Sequence, residues 1–501
     1  MSVLLPLPFV LPLLAAAVAL LLTGRPRAQR VASLAVSATC VGLATAICIA
    51  VTRQDVVVAE IGGWGAPVGI TFVADRLAAA LLLVGTLMVL AVLVYALGQI
   101  TPDQERLAFH PVYLVLLAGV SGSFLTGDLF NLFVCFEVML TASYVLLTIG
   151  GSSGQVRAGM TYVVISLVAS TAFVVAVGLL YAATGTVTMA DLAGRLDQLP
   201  PPLRDGLVLL LLGVFGVKAA IFPLFFWLPD SYPTAPGPIT ALFAGLLTKV
   251  GVYAVIRTQT LFGGYEGPST LILAIAGATM LVGVLGAIAQ NDVKRILSFH
   301  IVSQIGYMIL GLGLFTLAGL AGAILYVIHH IVVKTALFLV AGIIERQTGT
   351  AALSRLSGLV RRSPLLAASF AVAALSLAGI PPFSGFVAKL ALVQAGIAEG
   401  RYVVVAVSLV VSLCTLFSMS KIWGGAFWGP QEPEEPPRPL RTPWPMTAAT
   451  VGLVVVSLGI TAFAGPLYGY SEAAARDLLD PTPYVSAVLG DDAALQTGAG
   501  R

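Results

Sequence analysis

The chain has 501 residues, of which 58% are hydrophobic and only 10% charged, with a formal net charge of +3. Its mean hydropathy is +1.00. A soluble domain carries roughly 45–50% apolar and about 25% charged residues, so this chain has too few charges to cover a water-facing surface. Soluble enzymes, nucleic-acid binders and disordered proteins are excluded, and a polytopic membrane protein remains.

A bilayer core about 30 Å thick takes roughly 20 apolar residues per helical span. The apolar residues, 58% of 501 or about 290, bound the count at about fourteen spans. Apolar runs between polar or Gly/Pro punctuation predict spans at 3–22, 31–51, 72–98, 108–126, 129–149, 160–183 and 206–228. The second half continues with 238–260, 268–289, 296–317, 319–345, 365–396, 402–424 and 446–466. None shows the ten-residue alternation of an outer-membrane barrel. The expected fold class is therefore all-α, with about fourteen transmembrane helices.

The first run has no basic residue before Arg25 and is followed by Arg25, Arg27 and Arg30. A signal peptide begins basic, so this helix is expected to be retained with its N-terminus outside. Laid out from there, fourteen basic residues fall in inner loops, among them Arg361, Arg362, Arg438 and Arg441, and eight fall in outer ones. The bias implies an inner (plasma) membrane protein with both termini outside. The four remaining basic residues are Lys218, Lys249, Lys334 and Lys389, all within spans, in a chain with only six lysines. No arginine reads as deep. Arg stays charged at any accessible pH, whereas a lysine amine can give up and regain a proton.

Cys40, Cys48, Cys135 and Cys414 all lie in apolar runs without CxxC pairing and read as small core residues. No GxGxxG, Walker or HExxH pattern is present, so no cofactor, metal or nucleotide is expected.

At about 1.5 Å of rise per residue, Glu137 lies ~12 Å into its span, Lys218 ~18 Å, Lys249 and Lys334 ~16 Å, and Lys389 ~14 Å. These five groups form a horizontal row near mid-membrane. An ionisable residue there costs at least ~3 kcal/mol and is a functional candidate by default. Glu137 is the one acidic residue well inside a span; Asp128 and Asp230 stand at span ends. A static, helix-locking ion pair is the structural alternative for Glu137 and Lys218. Lys249 and Lys389 have no second carboxylate to serve that purpose. His329, His330 and Lys334 share a span, with His330 and Lys334 one turn apart, and imidazole passes protons near neutral pH. His110 and His300, nearer span ends, read as ordinary core.

Two spans are interrupted. Lys218 is followed by Pro223, Pro229, Pro233, Pro236 and Pro238, and Gly379-Ile-Pro381-Pro382-Phe-Ser-Gly385 precedes Lys389. Interior prolines free backbone groups that must face protein or water. The breaks stand five spans apart, at the same place in two odd-numbered blocks, which must then be inverted; such pairing points to a transport pathway. The expected division is 1–106 (three spans), 107–262 (first five-helix repeat, broken near 223–236), 263–430 (second repeat, broken near 379–385) and 431–501 (last span and a short external tail).

Together, Gly127-Asp-Leu-Phe-Asn-Leu-Phe-Val-Cys-Phe-Glu137, Lys218 ahead of Phe222-Pro-Leu, Lys249 in Leu-Leu-Thr-Lys-Val-Gly, His329-His-Ile-Val-Val-Lys334 and Ile380-Pro-Pro-Phe-Ser-Gly-Phe-Val-Ala-Lys389 resemble a known family. It is the proton-pumping, antiporter-like family shared by Mrp-type multisubunit Na+/H+ antiporters and respiratory complex I. The stretches 127–147 and 471–490 look most like the Mrp D subunit, and Lys389 stands where the M-type complex I chain has a glutamate. An N- or M-type proton-pumping subunit of complex I is the alternative.

The resemblance implies that Glu137, Lys218, Lys249, His329, His330, Lys334 and Lys389 transfer protons. It implies a secondary transporter component rather than an enzyme, lying in the bilayer among other antiporter subunits of a hetero-oligomeric complex that exchanges H+ and Na+. Glu137 and Lys218 would rest as an ion pair. With one intramembrane carboxylate available to a hard cation, this chain is expected to carry H+ and a partner to handle Na+.

Overall fold

The computed structural model describes residues 2–263, 268–429 and 442–490. Arg438, Arg441 and Arg501, and the expected boundary between 430 and 431, lie outside the described residues. Within them, every apolar run read from the sequence coincides with a helix or a broken pair of helices. Among the described residues, eleven helices are long and apolar enough to cross a membrane, three apolar ones are shorter (Phe109–Leu125, Pro364–Ala378, Ser384–Ala398), and Pro201–Ala219 is a further helix of 19 residues.

In chain order the helices are α1 (Leu7–Leu21), α2 (Pro26–Gln54), α3 (Arg76–Ala96), α4 (Phe109–Leu125), α5 (Leu129–Thr148), α6 (Ser153–Thr184), α7 (Pro201–Ala219) and α8 (Gly237–Gly263). They continue as α9 (Ser269–Ala289), α10 (Val293–Leu314), α11 (Leu317–Thr348), α12 (Pro364–Ala378), α13 (Ser384–Ala398), α14 (Tyr402–Phe427) and α15 (Trp444–Ala462). A two-stranded antiparallel hairpin, β1 (Val57–Glu60) with β2 (Thr71–Ala74), joins α2 to α3.

The segment after the last span is more ordered than a loose tail. α15 ends at Ala462, and two further helices, α16 (Ala464–Leu479) and α17 (Thr482–Leu489), follow. α16 packs on α3, α8 and α11. It is held by Arg76, whose guanidinium donates to Asp477 at 2.7 and 2.8 Å, and by Tyr470, whose hydroxyl donates to the Arg76 carbonyl at 2.9 Å.

Two stretches repeat one another. Asp128 caps α5 through the Asn131 amide at 2.7 Å, and Asp292 caps α10 through the Arg295 amide at 3.1 Å. Each aspartate also forms a bridge, to Thr188 and Ala352 respectively. α6 and α11 both run 32 residues and both stop at a left-handed glycine, Gly185 and Gly349, the usual end of an α-helix. Each is followed by a break, left-handed Ala220 before Pro223 and left-handed Gly379 before Pro381 and Pro382. A five-residue π turn then sits in α8 (Phe243–Leu247) and at the end of α14 (Trp423–Phe427).

The two copies occupy opposite ends of α8. Near the first, Gly127 donates to the Thr71 carbonyl and neighbouring Asp75 pairs with Arg257, late in α8. At the second, Lys294 Nζ donates to the Ala235 carbonyl, just ahead of α8. The repeats are therefore inverted. The most apolar stretches of α8 and α11 are wholly enclosed by protein, so these helices form the axis of the core.

Candidate functional site

The row begins on α5. Glu137 is half-buried, on a flank whose Phe130, Val134 and Thr141 are exposed. Lys218 sits in the last turn of α7, 7% exposed. The expected direct ion pair between them is absent: Ser170 of α6 stands between. Ser170 Oγ donates to Glu137 Oε1, and Lys218 Nζ donates to Ser170 Oγ at 2.8 Å and to the Ser166 carbonyl at 3.3 Å. Lys218 also lies 5.9 Å from the Phe136 ring centre. A cavity of about 20 Å³ adjoins Lys218, lined also by Ser166, Tyr162, Tyr232 and Leu247. That is room for about one water. The Tyr232 hydroxyl, at its edge, has no hydrogen-bond partner among the described residues.

Lys249 follows the π turn of α8 and is wholly buried. Its Nζ donates to the Ala244 carbonyl inside that turn at 2.6 Å and to Thr248 Oγ1 at 3.2 Å. Single π turns recur at functional sites, and here one supplies the acceptor for a buried cation. The close approach of α7 and α8 depends on Gly251. A methyl there would lie 2.6 Å from the Ala219 nitrogen and 2.7 Å from the Lys218 carbonyl carbon.

α11 carries Lys334, His330 and His329, all wholly buried. Lys334 Nζ has no hydrogen-bond partner among the described residues and lies 5.7 Å from the Phe338 ring centre. Among the same residues, neither nitrogen of His330 has a partner. Lys249, Lys334 and Lys389 all act on His330 electrostatically. His329 Nδ1 hydrogen-bonds with Ser384 Oγ at 2.9 Å, and Ser384 in turn meets Ser376 at 2.8 Å and Ser457 at 3.2 Å.

The second break explains the seat of Lys389. α12 ends at Gly379, and its last carbonyls have no following turn to donate to them. Lys389, on α13, folds back so that Nζ donates to the Leu377 and Ala378 carbonyls and to Ser412 Oγ, each at 3.1 Å. A cation at a helix C-terminus also meets the favourable end of its dipole. Lys389 lies 4.6 Å from the Tyr307 ring centre.

The structure thus buries six of the seven sequence-derived candidates and leaves Glu137 half-buried at the flank, in three groups: Glu137 with Lys218, Lys249 with the α11 cluster, and Lys389 beyond His329. Sequence reasoning missed the groups that join them, chiefly Ser170, Ser384 and Ser412. It also placed Arg257 in an outer segment. Arg257 is 4% exposed within α8 and pairs with the equally buried Asp75 at 2.6 Å, between the rings of Tyr253 and Tyr484.

Inverted helical repeats with paired breaks and a buried row of titratable groups define a polytopic membrane protein of the ion-transporter class. Residues 126–415, more than half of the chain, match the family described as NADH:quinone oxidoreductase/Mrp antiporter, transmembrane. The D subunit of the Na+/H+ antiporter of Alkalihalophilus pseudofirmus is 44% identical over 486 residues, covering 96% of this chain and 98% of that one. The corresponding D subunit of Bacillus subtilis is 40% identical over 494 residues, with coverages of 96% and 98%. A chain in the structure of the Mrp complex from Dietzia sp. superposes with a TM-score of 0.93 at 36% identity, covering 98% of this chain and 99% of that one. The chain belongs to the NADH:quinone oxidoreductase/Mrp antiporter family, on its branch of Na+/H+ antiporter D subunits.

Proposed function

We propose that this chain is the proton-translocating subunit of a multisubunit monovalent cation (Na+)/H+ antiporter in the plasma membrane. In this reading it crosses the bilayer fourteen times, with both termini outside and the division 1–106, 107–262, 263–430 and 431–501. Protons move from the Glu137–Ser170–Lys218 group to Lys249, then to Lys334, His330 and His329, and on to Lys389. Na+ is handled by a partner chain. The 44% and 40% identity to antiporter D subunits favours this reading over a complex I subunit.

The observation that carries it is the unequal support of the buried cations. Lys218, Lys249 and Lys389 each rest on neutral oxygens, and Lys334 rests on none among the described residues. Fixed positive charge alone would be met by pairing with carboxylates. Neutral oxygens and free imidazole nitrogens suit groups that exchange protons. Glu137 supports the assembly: a carboxylate half-exposed on an otherwise apolar membrane flank needs covering protein, and another subunit of the antiporter supplies it.

The test uses inverted vesicles from cells lacking their own Na+/H+ antiporters, with the chain expressed beside its neighbouring genes. Added Na+ should collapse a respiration-driven ΔpH, and Glu137→Gln should abolish the collapse at unchanged complex levels. Lys389→Arg should also fail, because a guanidinium does not release its proton. Normal antiport in a well-assembled Glu137→Gln complex refutes the reading.

A further inference from the structure

Far from the lysine row, the first spans enclose a cavity beside a run of arginines. The turn from α1 to α2 reads Gly24-Arg25-Pro26-Arg27-Ala28-Gln29-Arg30. Next to it lies the connection from α3 to α4, where a short helix, Pro102–Arg106, ends in a fourth arginine. Between the two is a cavity of about 340 Å³, lined by Leu20, Thr23, Gln29, Glu105, Arg106 and Ala108 among others. Small-molecule sites take roughly 300–1,000 Å³.

The inner wall of this cavity is fixed. Buried Gln29 donates through Nε2 to the Ala19 carbonyl at 2.7 Å. Buried Glu105 accepts from Arg30 through both oxygens, at 2.7 and 2.8 Å, so its charge is met by a two-pronged pair. The rim, in contrast, has positive charge to spare. Arg25 and Arg27 are exposed, and their guanidinium groups have no ion-pair or hydrogen-bond partner among the described residues. Arg106 meets only Asp103, at 3.6 Å with both side chains in the open, and such a pair holds little. Four guanidinium groups thus stand against two carboxylates, Glu105 and Asp103, which leaves a surplus of two positive charges.

An apolar track runs from the cavity along α1. Leu14, Val18 and Leu21 follow the four- and three-residue spacing of one helix face and are all exposed, as is Leu20 at the cavity itself. A free anion has no use for that track, and a lipid without net charge gains little from the surplus at the rim. An anionic headgroup carrying acyl chains uses both.

We propose that the α1–α2 turn and the Pro102–Arg106 helix form a binding site for one anionic phospholipid. Its phosphodiester meets Arg25, Arg27 and Arg106, and an acyl chain lies along Leu14, Val18 and Leu21. The guanidinium fork matches phosphate oxygens two at a time. Basic pockets between spans on the cytoplasmic side hold such headgroups, and the orientation proposed above puts this one in the cytoplasmic leaflet. The lipid ties the α1–α2 turn to the α3–α4 connection at the rim, as the Arg30–Glu105 pair does at the wall.

The test uses the assembled complex in phosphatidylcholine nanodiscs doped with a photoreactive phosphatidylglycerol or with a photoreactive phosphatidylcholine of the same chains. Labelled peptides are mapped by mass spectrometry. The phosphatidylglycerol probe should label 14–30 and 102–111 about tenfold more than the phosphatidylcholine probe, saturating at one lipid per chain. Arg25→Gln with Arg27→Gln should bring that labelling down to the phosphatidylcholine level, whereas Arg53→Gln, exposed at the other end of α2, should leave it unchanged. Equal labelling by the two probes, or a double variant that labels like the parent, overturns the site. Labelling that grows without saturating marks diffuse surface attraction and also overturns it. Competition by millimolar inorganic phosphate marks a free-anion site, and a subunit crosslinked to these stretches in place of lipid marks a protein contact; either result overturns the lipid. No transport step is read, so each of these failures leaves the relay reading standing.

Discussion

Ser170→Ala tests the joint between the carboxylate and the first lysine. The hydroxyl accepts from Lys218 Nζ at 2.8 Å and donates to Glu137, and a hydrogen bond to a charged group is worth about 1.5–3 kcal/mol. Loss of both is not fully felt. Lys218 keeps the Ser166 carbonyl at 3.3 Å, and the adjoining cavity of about 20 Å³ admits about one water. One bond's worth, about 2 kcal/mol, remains uncompensated, which corresponds to roughly a thirtyfold change. Sodium-driven ΔpH collapse in inverted vesicles should therefore slow by about that factor at equal complex levels, and Ser170→Thr, which keeps the hydroxyl, should recover most of it. A Ser170→Ala complex within about threefold of the parent, below 1 kcal/mol, would refute the bridge if Glu137→Gln is inactive in the same preparation.

Three further outcomes are expected. Asp75→Asn leaves the buried Arg257 guanidinium without its counter-charge; breaking such a pair costs about 3–5 kcal/mol, so the thermal midpoint of the purified complex should fall sharply, and Asp75→Leu with Arg257→Leu should recover much of it. Gly251→Ala sets a methyl against α7 backbone at Lys218; at about 1–3 kcal/mol for overpacking, both thermal stability and antiport should drop, whereas Gly452→Ala, with open space around it, should change neither. Glu105, in the short helix between α3 and α4, is pushed up by burial, but Arg30's hydrogen bonds at 2.7 and 2.8 Å and its charge outweigh this, with His110 adding to the effect, and hold the carboxyl below its usual value. A carboxylate depressed in the fold contributes stability above its unfolded value and loses it as pH falls through its folded value. Melting temperature should thus decline below about pH 4.5 in the parent, and Glu105→Gln should flatten that decline; equal slopes would refute it.

The helices, both breaks and the row of lysines were legible in the sequence because each is rare against its background. A lysine in an apolar run, or two prolines inside a span, has few structural explanations. Ser170 was not legible: the chain has many serines inside helices, and only the packing of α6 between α5 and α7 shows which one meets two charges. The same holds for Ser412, whose importance depends on meeting Lys389 from another helix. Arg257 was misplaced because it lies near the end of its apolar run, and its partner Asp75 is far away in sequence at the start of α3. The inverted repeat was visible through its breaks alone. Gly127-Asp-Leu-Phe and Asn291-Asp-Val-Lys share only the aspartate, although both form the same cap and bridge.

The way the lysines are held bears on why the helices are irregular at all. A carboxylate beside each lysine would bind its proton in a static pair, and the desolvation cost of both ions would be repaid only while they stayed together. A backbone carbonyl carries a partial charge, so it orients an ammonium without competing for the proton. Regular helices have no carbonyls to spare except in their last turn. The break after α12 creates such an end in mid-core, and Lys389 occupies it; the π turn of α8 presents the Ala244 carbonyl to Lys249. Helix irregularity therefore does here what counter-ions would do in a static core, and the row's carboxylate, Glu137, meets its first lysine only through the Ser170 hydroxyl.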